Sequence, residues 1–387
     1  MLTGESEQGG QLQVKIGINA HLIAGKASYR RAGIHNYIVQ VLNHLPPLSS
    51  ASQYVVFSRH AAHLAHRDGF AVRGSRWPTE RRPVRIAWEQ TAWPWLASNS
   101  QLDLLHSMAF VAPILTRIPT IVTVYDLSFM HFPDSFPALQ RRYLQRQTAR
   151  SCRQAQRVIT ISESGRQDVQ ELFQIPRQRI DVVYPGVEAQ FQPLPVDAVA
   201  AFRKREELPQ QFILHMGTLQ PRKNIPILLE ALAQLERPDV LLVLAGGKGW
   251  LYEDIFKRVK ELGLLDQVRF TGYVQDATLP LWYNAATLLV FPSIYEGFGL
   301  PVVEAMACGT PVVAARSSSI PEAGGAAALY FNPYDVDELT RHLATILDDQ
   351  DVADGMRQKG LTQARQFSWP KAGEETAGVY RRALGDS

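Results

Sequence analysis

The sequence predicts an α/β protein of two domains, each built on a mostly parallel sheet. Three observations carry this reading. Short apolar runs alternate with helical stretches along almost the whole chain, the pattern of repeated strand–helix units. The alternation breaks once, at a Pro-rich passage from Tyr184-Pro185-Gly186 through Pro193 and Pro195, and then restarts. Finally, 387 residues with 46% apolar composition are enough for two separate cores.

Residues 1–12 are polar and Gly-rich and read as a disordered tail. The first domain, 13–190, opens with a strand at Gln13–Asn19, followed by a loop over 21–33 and a helix starting near Gly33. Further strands are expected at Tyr54–Phe57, Leu102–His106, Thr120–Val124, Arg157–Ile161 and Ile180–Val183, with a helix at Leu139–Gln156. The second domain, 191–368, places strands at Gln211–Met216, Asp239–Ala245, Val268–Thr271, Thr287–Phe291, Thr310–Ala314 and Ala328–Tyr330. Helices are expected between them at Ile225–Leu235, Tyr252–Leu262 and Val336–Leu347. A last helix, Lys371–Leu384, follows Phe367-Ser368-Trp369, whose indole reads as packing, and 369–387 form a separate closing segment.

Composition excludes several classes. No apolar run approaches the roughly 20 residues of a membrane span, and the polar start carries no secretory signal. Cys152 and Cys308 are far apart and lack metal-ligand spacing, as in a reduced cytoplasmic protein. Net charge is +3, unevenly placed: residues 1–190 hold 21 Lys and Arg against 13 Asp and Glu, whereas 191–387 hold 19 against 24. Over 73–95 the basic side chains Arg73, Arg76, Arg81, Arg82 and Arg85 are interleaved with Trp77, Trp88, Trp93 and Trp95. That mixture suits an anionic membrane surface or a phosphorylated acceptor, or else a solvated basic loop over core tryptophans. Nucleic acid is not an expected partner.

The most informative stretch is 291–311, FPSIYEGFGLPVVEAMACGTP. Glu296 and Glu304 stand eight apart around Gly297-Phe298-Gly299-Leu300-Pro301. Two glycines let the backbone approach a ligand closely. Pro301 is suited to the first position of a helix and Gly309 to its end. A loop entering a helix N-terminus favours an anion, because free N–H groups and the dipole point the same way. One carboxylate in the loop and one in the first turn would then flank a phosphate-binding backbone, the layout a sugar nucleotide needs.

This segment resembles the E-x7-E signature of retaining glycosyltransferases of family 4, which have the GT-B fold. The resemblance implies two Rossmann-like domains facing across a cleft, with the C-terminal helix returning to the first. It implies that Glu296 contacts the donor sugar, that Glu304 contacts the ribose, and that Phe298, Gly299 and Leu300 lie against the donor. Residues 215–224, HMGTLQPRKN, resemble the family's donor diphosphate loop. There Lys223 and Arg222 would neutralise the departing diphosphate, and pre-placed cations at the scissile bond lower the barrier. Thr218 stands where other branches carry an Arg. Ala245-Gly246-Gly247-Lys248-Gly249-Trp250 matches neither G-x-G-x-x-G nor a Walker loop. By resemblance, Gly246 lets the backbone approach the nucleotide, Val274 lies near the base, and Gly33 faces the phosphates, with His35 beside it.

Many relatives carry His where this chain has Tyr125; a Tyr can donate a hydrogen bond but is no cation near neutral pH. Asp126 matches the family's Asp, which shapes a turn or touches the acceptor, and His131 is a candidate substitute for the missing His. Ser162-Glu163-Ser164 resembles a helix start that caps or binds. The D-x-D of Asp335-Val336-Asp337 reads as a helix cap and first-turn acid rather than a metal site. No metal and no cofactor are therefore expected; the nucleotide sugar is a substrate. The implied function is transfer of a sugar, favoured as mannose from GDP-mannose, to a saccharide or lipid-linked acceptor. Open alternatives are a UDP-sugar-dependent transferase, a sugar-nucleotide epimerase and a non-catalytic nucleotide-sugar-binding partner.

Overall fold

In the first unit, seven strands form an all-parallel sheet in the order β3-β2-β1-β4-β5-β6-β7. They are β1 (Lys15–Asn19), β2 (Gln53–Phe57), β3 (Phe70–Arg73), β4 (Leu104–Ser107), β5 (Thr120–Val124), β6 (Arg157–Thr160) and β7 (Ile180–Val182). This computed structural model describes residues 14–23, 33–47, 52–75, 77–247 and 253–385. The first unit takes the chain through Thr160, Asp168–Val183 and the residues from Gly373 on. Helices between strands cover both faces, so the strands are apolar throughout rather than alternating; every residue of β4 and β5 is buried. The order reverses between β1 and β4, and ligands of open α/β sheets bind beyond the carboxyl ends of strands at such a point.

The stretch at 73–95 differs from the basic loop that the sequence suggested. It contains β3's last residue and two helices, Arg82–Gln90 and Ala92–Asn99. Trp88 and Trp93 are buried, stacked 6.1 Å apart at 12°. Arg73 donates to Ser100 Oγ at 2.9 Å, and Arg85 turns toward Glu89 at 3.7 Å. Arg73, Trp77, Arg81, Arg82 and Trp95 remain exposed, while Arg76 lies outside the described residues. Trp88 in the first helix and Trp93 in the second are the core tryptophans that one of the readings expected, and their stacking buries both indoles. The expected disordered tail at 1–12 also lies outside the described residues.

The helix Trp369–Leu384 contributes its residues from Gly373 on to this first unit. Gly373 has no room for a side chain: a Cβ there would sit 2.1 Å from the His44 carbonyl oxygen. Further along, Tyr380 pairs with His106 Nδ1 at 2.8 Å, and His106 Nε2 with Thr123 Oγ1 at 2.8 Å.

The second unit holds Ile161–Gln167 and Tyr184–Ala372. Its six-stranded parallel sheet runs β10-β9-β8-β11-β12-β13. The strands are β8 (Phe212–Met216), β9 (Leu241–Ala245), β10 (Val268–Gly272), β11 (Leu288–Phe291), β12 (Val312–Ala315) and β13 (Leu329–Phe331). The order here reverses between β8 and β11, so the loops leaving those two strands are where a ligand is expected. Trp369 packs in this unit with only 2% of its surface exposed.

Candidate active site

Both cationic candidates and the first glutamate meet at the reversal point of the second sheet. Lys223 and Arg222 sit in a short 3-10 turn, Pro221–Lys223, just after β8. Glu296 sits in the loop after β11. Lys223 Nζ lies 2.5 Å from Glu296 Oε1, and Arg222 Nη1 lies 2.9 Å from Glu296 Oε2. Arg222 also donates to the Tyr295 carbonyl at 2.8 Å. Lys223 is 7% exposed, and its ammonium rides 5.0 Å over the Phe291 ring, a cation–π contact. Burial alone would raise the Glu296 carboxyl, but Lys223 and then Arg222 hold it down at about 2.

Two serines that the sequence reading passed over fix this loop. Glu296 N–H donates to Ser318 Oγ at 2.9 Å, and Ser319 Oγ donates to the Glu296 carbonyl at 2.8 Å. The run Ser317-Ser318-Ser319 after β12 was the available signal, since serine hydroxyls commonly satisfy loop backbone. His215, on β8, was also missed as a site residue. It is fully buried and stacked on Phe291 at 6.4 Å. Burial, then Lys223, lower it to about 4, so it is neutral. Its Nδ1 donates to the Val290 carbonyl at 3.2 Å, which leaves a bare lone pair on Nε2, without a partner among the described residues.

Glu304 lies in the helix Leu300–Ala307, in its second turn rather than its first, and Pro301 is the helix's second residue. Gly299 precedes it with φ 113°, a left-handed conformation that glycine adopts freely. Tyr283 donates to Glu304 Oε2 at 2.8 Å. Burial raises this carboxyl to about 7, with the Tyr283 hydrogen bond pulling the other way. Phe298 does not reach outward. Its ring is 3% exposed, between Tyr184 at 5.6 Å and Phe367 at 5.1 Å.

Gly246 is explained by a neighbour within the protein. A Cβ there would sit 2.0 Å from the Gly217 carbonyl oxygen, so the β8 and β9 loops touch only through glycine. Gly217 N–H donates to Ala245 O at 2.9 Å, and Leu219 N–H to Gly247 O at 3.1 Å. Thr218 is exposed at the head of that loop. Lys248, Gly249 and Trp250 lie outside the described residues. Val274 is buried and lines a cavity of about 320 Å³ with Arg205, Tyr273, Gln275 and Trp282.

In the first unit, Gly33 caps the helix Ile34–His44 with φ 65° and open space around it. Tyr125 is not at the surface: it is 4% exposed and donates to the Met108 carbonyl at 2.6 Å. Burial pushes its hydroxyl well above the ordinary value. Asp126 accepts from Ser128 N–H at 2.9 Å, shaping the turn. His131 pairs with Asp168 at 3.1 Å. In the second unit, Ser162 Oγ caps Gly165 N–H at 3.0 Å, and the Glu322 carboxylate takes the N–H groups of Glu163 and Ser164 at 2.6 and 2.7 Å. Asp335 accepts from Glu338 N–H at 2.8 Å as a helix cap.

A family model described as glycosyl transferases group 1 matches residues 199–363, and one described as glycosyltransferase family 4 matches 31–191. O-antigen chain mannosyltransferase B of Escherichia coli is 35% identical over 293 residues, covering 74% of this chain and 76% of that protein. The chain belongs to the group 1, family 4 glycosyltransferases. This glycosyltransferase is also 34% identical to the serotype-specific mannosyltransferase WbdA of Escherichia coli, over 60% of its own length but 29% of the relative's. Its fold matches sucrose-phosphate synthase from Thermosynechococcus elongatus with a TM-score of 0.76 at 21% identity, covering 97% and 100% of the two chains. The fold is thus GT-B, with two Rossmann-like domains, and the protein is an enzyme of the hexosyltransferase class.

The Glu304 environment gives the glycosyltransferase a measurable pH signature. The folded carboxyl keeps its proton to a higher pH than the ordinary 4.5. The stability it contributes is therefore full below about pH 4.5 and is lost as pH rises through 7, about 3 kcal/mol in all. Glu304→Gln is expected to gain that amount on the wild type between pH 4.5 and 8 in urea unfolding. A stability difference that does not change with pH would refute the assignment.

Proposed function

We propose that this glycosyltransferase moves a mannosyl unit, with retained anomeric configuration, from GDP-mannose to a hydroxyl of a saccharide or lipid-linked saccharide in glycan assembly. The meeting of Lys223, Arg222 and Glu296 at the sheet's reversal point carries the transfer chemistry. The mannosyl choice is supported by the two relatives named as mannosyltransferases. As the bond from the anomeric carbon to the diphosphate breaks, charge grows on the leaving oxygen, and Lys223 and Arg222 stabilise it. Glu296, ionised across the whole neutral range, then accepts from the sugar hydroxyls, and Glu304 from the ribose. The acceptor oxygen attacks the same face, and its proton passes to the leaving phosphate oxygen. No side chain has to act as a nucleophile, and the two cations make a metal unnecessary.

Titration calorimetry with free GDP, UDP and ADP tests the donor assignment. GDP is expected to bind tightest; a clear preference for UDP would replace GDP-mannose with a UDP-sugar.

With EDTA present throughout, transfer from GDP-mannose is expected to proceed. Under that condition Lys223→Ala should lower the rate by roughly 10²–10³, the scale for losing one preorganised charge partner. Loss of wild-type activity in EDTA, restored by Mg²⁺ or Mn²⁺, would show that a metal carries the charge. A Lys223→Ala rate within threefold of wild type would move the role elsewhere.

Among the described residues no helix is long and apolar enough to cross a membrane. A peripheral role at an anionic surface would rest on Arg81, Arg82, Trp77 and Trp95, with about 1 kcal/mol of attraction per arginine. Co-sedimentation with phosphatidylserine vesicles at low salt, weakened in Arg81→Ser/Arg82→Ser, is the expected result. No sedimentation at low salt removes the membrane from the reading.

A further inference from the structure

His215 is a buried, titratable side chain to which the transfer chemistry gives no task. It stands on β8, one short loop before the turn that carries Lys223. Its Nδ1 faces the Val290 carbonyl, which can only accept, so that nitrogen carries the proton and Nε2 is a bare acceptor. Nε2 is enclosed and has no hydrogen-bond partner among the described residues. Buried polar atoms are almost always paired. A phenylalanine in this place could stack on Phe291 in the same way, at 17° between planes, and would leave no atom open. The lone pair is therefore explained by a partner that arrives in another state of the site.

Two observations point to Lys223 as that partner. A Cβ on Gly217 would lie 3.6 Å from Lys223 Nζ and 3.7 Å from His215 Nε2. Both nitrogens thus border one small space, which the glycine, at φ 152°, keeps free of a side chain. After burial itself, Lys223 is the strongest influence holding the imidazole neutral, and Glu296 acts the opposite way. In the free site Glu296 Oε1 takes the Lys223 ammonium. A carboxylate partner cancels much of a cation's field, whereas a neutral imidazole orients the cation and leaves its charge at full strength. An ammonium has three donors to share. Once Glu296 turns to sugar hydroxyls, a neutral acceptor is what keeps Lys223 aimed at the oxygen where charge grows.

We propose that His215 is a positioning residue: its Nε2 accepts a hydrogen bond from the Lys223 ammonium when Glu296 is engaged by substrate, and so directs that charge at the departing diphosphate. The kinetic role rests on the transferase reading above; the pairing of Lys223 with His215 does not. His215 touches no reacting atom and moves no proton.

The pairing is tested without substrate, by imidazole nitrogen NMR of the full chain, with the His215 signals assigned by their loss in His215→Gln. The wild type is expected to carry its proton on Nδ1. In Glu296→Ala, Lys223 loses its carboxylate, and the Nε2 signal is expected to move toward that of a hydrogen-bonded acceptor. In Glu296→Ala/Lys223→Ala it is expected to return to the wild-type position. A proton on Nε2 in the wild type, or an Nε2 signal unmoved in a folded Glu296→Ala, overturns the proposal. Kinetics decide should Glu296→Ala fold poorly, with GDP release from GDP-mannose as the readout. His215→Phe is expected to lower kcat about tenfold, the scale of one buried hydrogen bond, with KM within about twofold of wild type. His215→Gln, whose amide oxygen can accept in place of Nε2, is expected within about threefold of the wild-type kcat, a rescue that a purely packing role would not give. Added to Lys223→Ala, His215→Phe is expected to cost nothing further, because residues acting as a pair are not additive. A wild-type kcat in His215→Phe, or a full tenfold loss that persists in the Lys223→Ala background, overturns the proposal. An Nε2 signal that moves in Glu296→Ala while the wild type releases no GDP from GDP-mannose would leave the pairing standing and remove the donor assignment instead.

Discussion

One carboxylate ties the second unit's ligand edge together. Glu296 takes Lys223 on one oxygen and Arg222 on the other, and its main chain is held by Ser318 and Ser319. Loops leaving β8, β11 and β12 are therefore joined through a single residue. Removing three charges from water is expensive, and an apolar replacement of the same shape often gives equal or greater stability. The arrangement is better understood as positioning. It keeps two cations and one anion side by side in a dry place, where their fields act strongly on whatever enters.

The two glutamates of the E-x7-E segment show how environment separates identical side chains. Glu296 is buried but faces two cations, and stays ionised down to about pH 2. Glu304 is held against Tyr283, with no cation among the described residues offsetting its burial, which raises it to about 7. Divergent values in neighbouring carboxyls are a common sign of divided roles. Here the division follows from what each residue faces. Glu296 faces the basic turn after β8, and Glu304 faces the helix that carries Tyr283.

Backbone demands also shaped the sequence where no ligand is needed to explain them. Gly246 is required by the Gly217 carbonyl, and Gly373 by the His44 carbonyl. A glycine in a ligand-side loop thus has two possible reasons, and for Gly246 the protein's own packing is sufficient.

The α/β class and the thirteen described strands apart from β3 were legible in the chain itself, as were Lys223, Arg222, Glu296 and Glu304 as candidates, of which the first three meet. Those features are local: apolar runs, helix-entry glycines and prolines, and charges at fixed spacing. Other features depended on contacts across long sequence distances and left no local trace. The helices over 82–99 stack Trp88 on Trp93 in the core and leave Trp77 and Trp95 exposed. Tyr125 looked like a stand-in for a catalytic histidine, yet its hydroxyl is spent on Met108. Phe298 sits in a ligand loop but packs between two rings. Asn19 and Glu89 stand seventy residues apart, and only the folded chain joins them at 3.2 Å. The sequence by itself determined the elements and the chemistry available. Tertiary packing decided which polar side chains are satisfied by the protein and which are left open, because that depends on what lies across from each one.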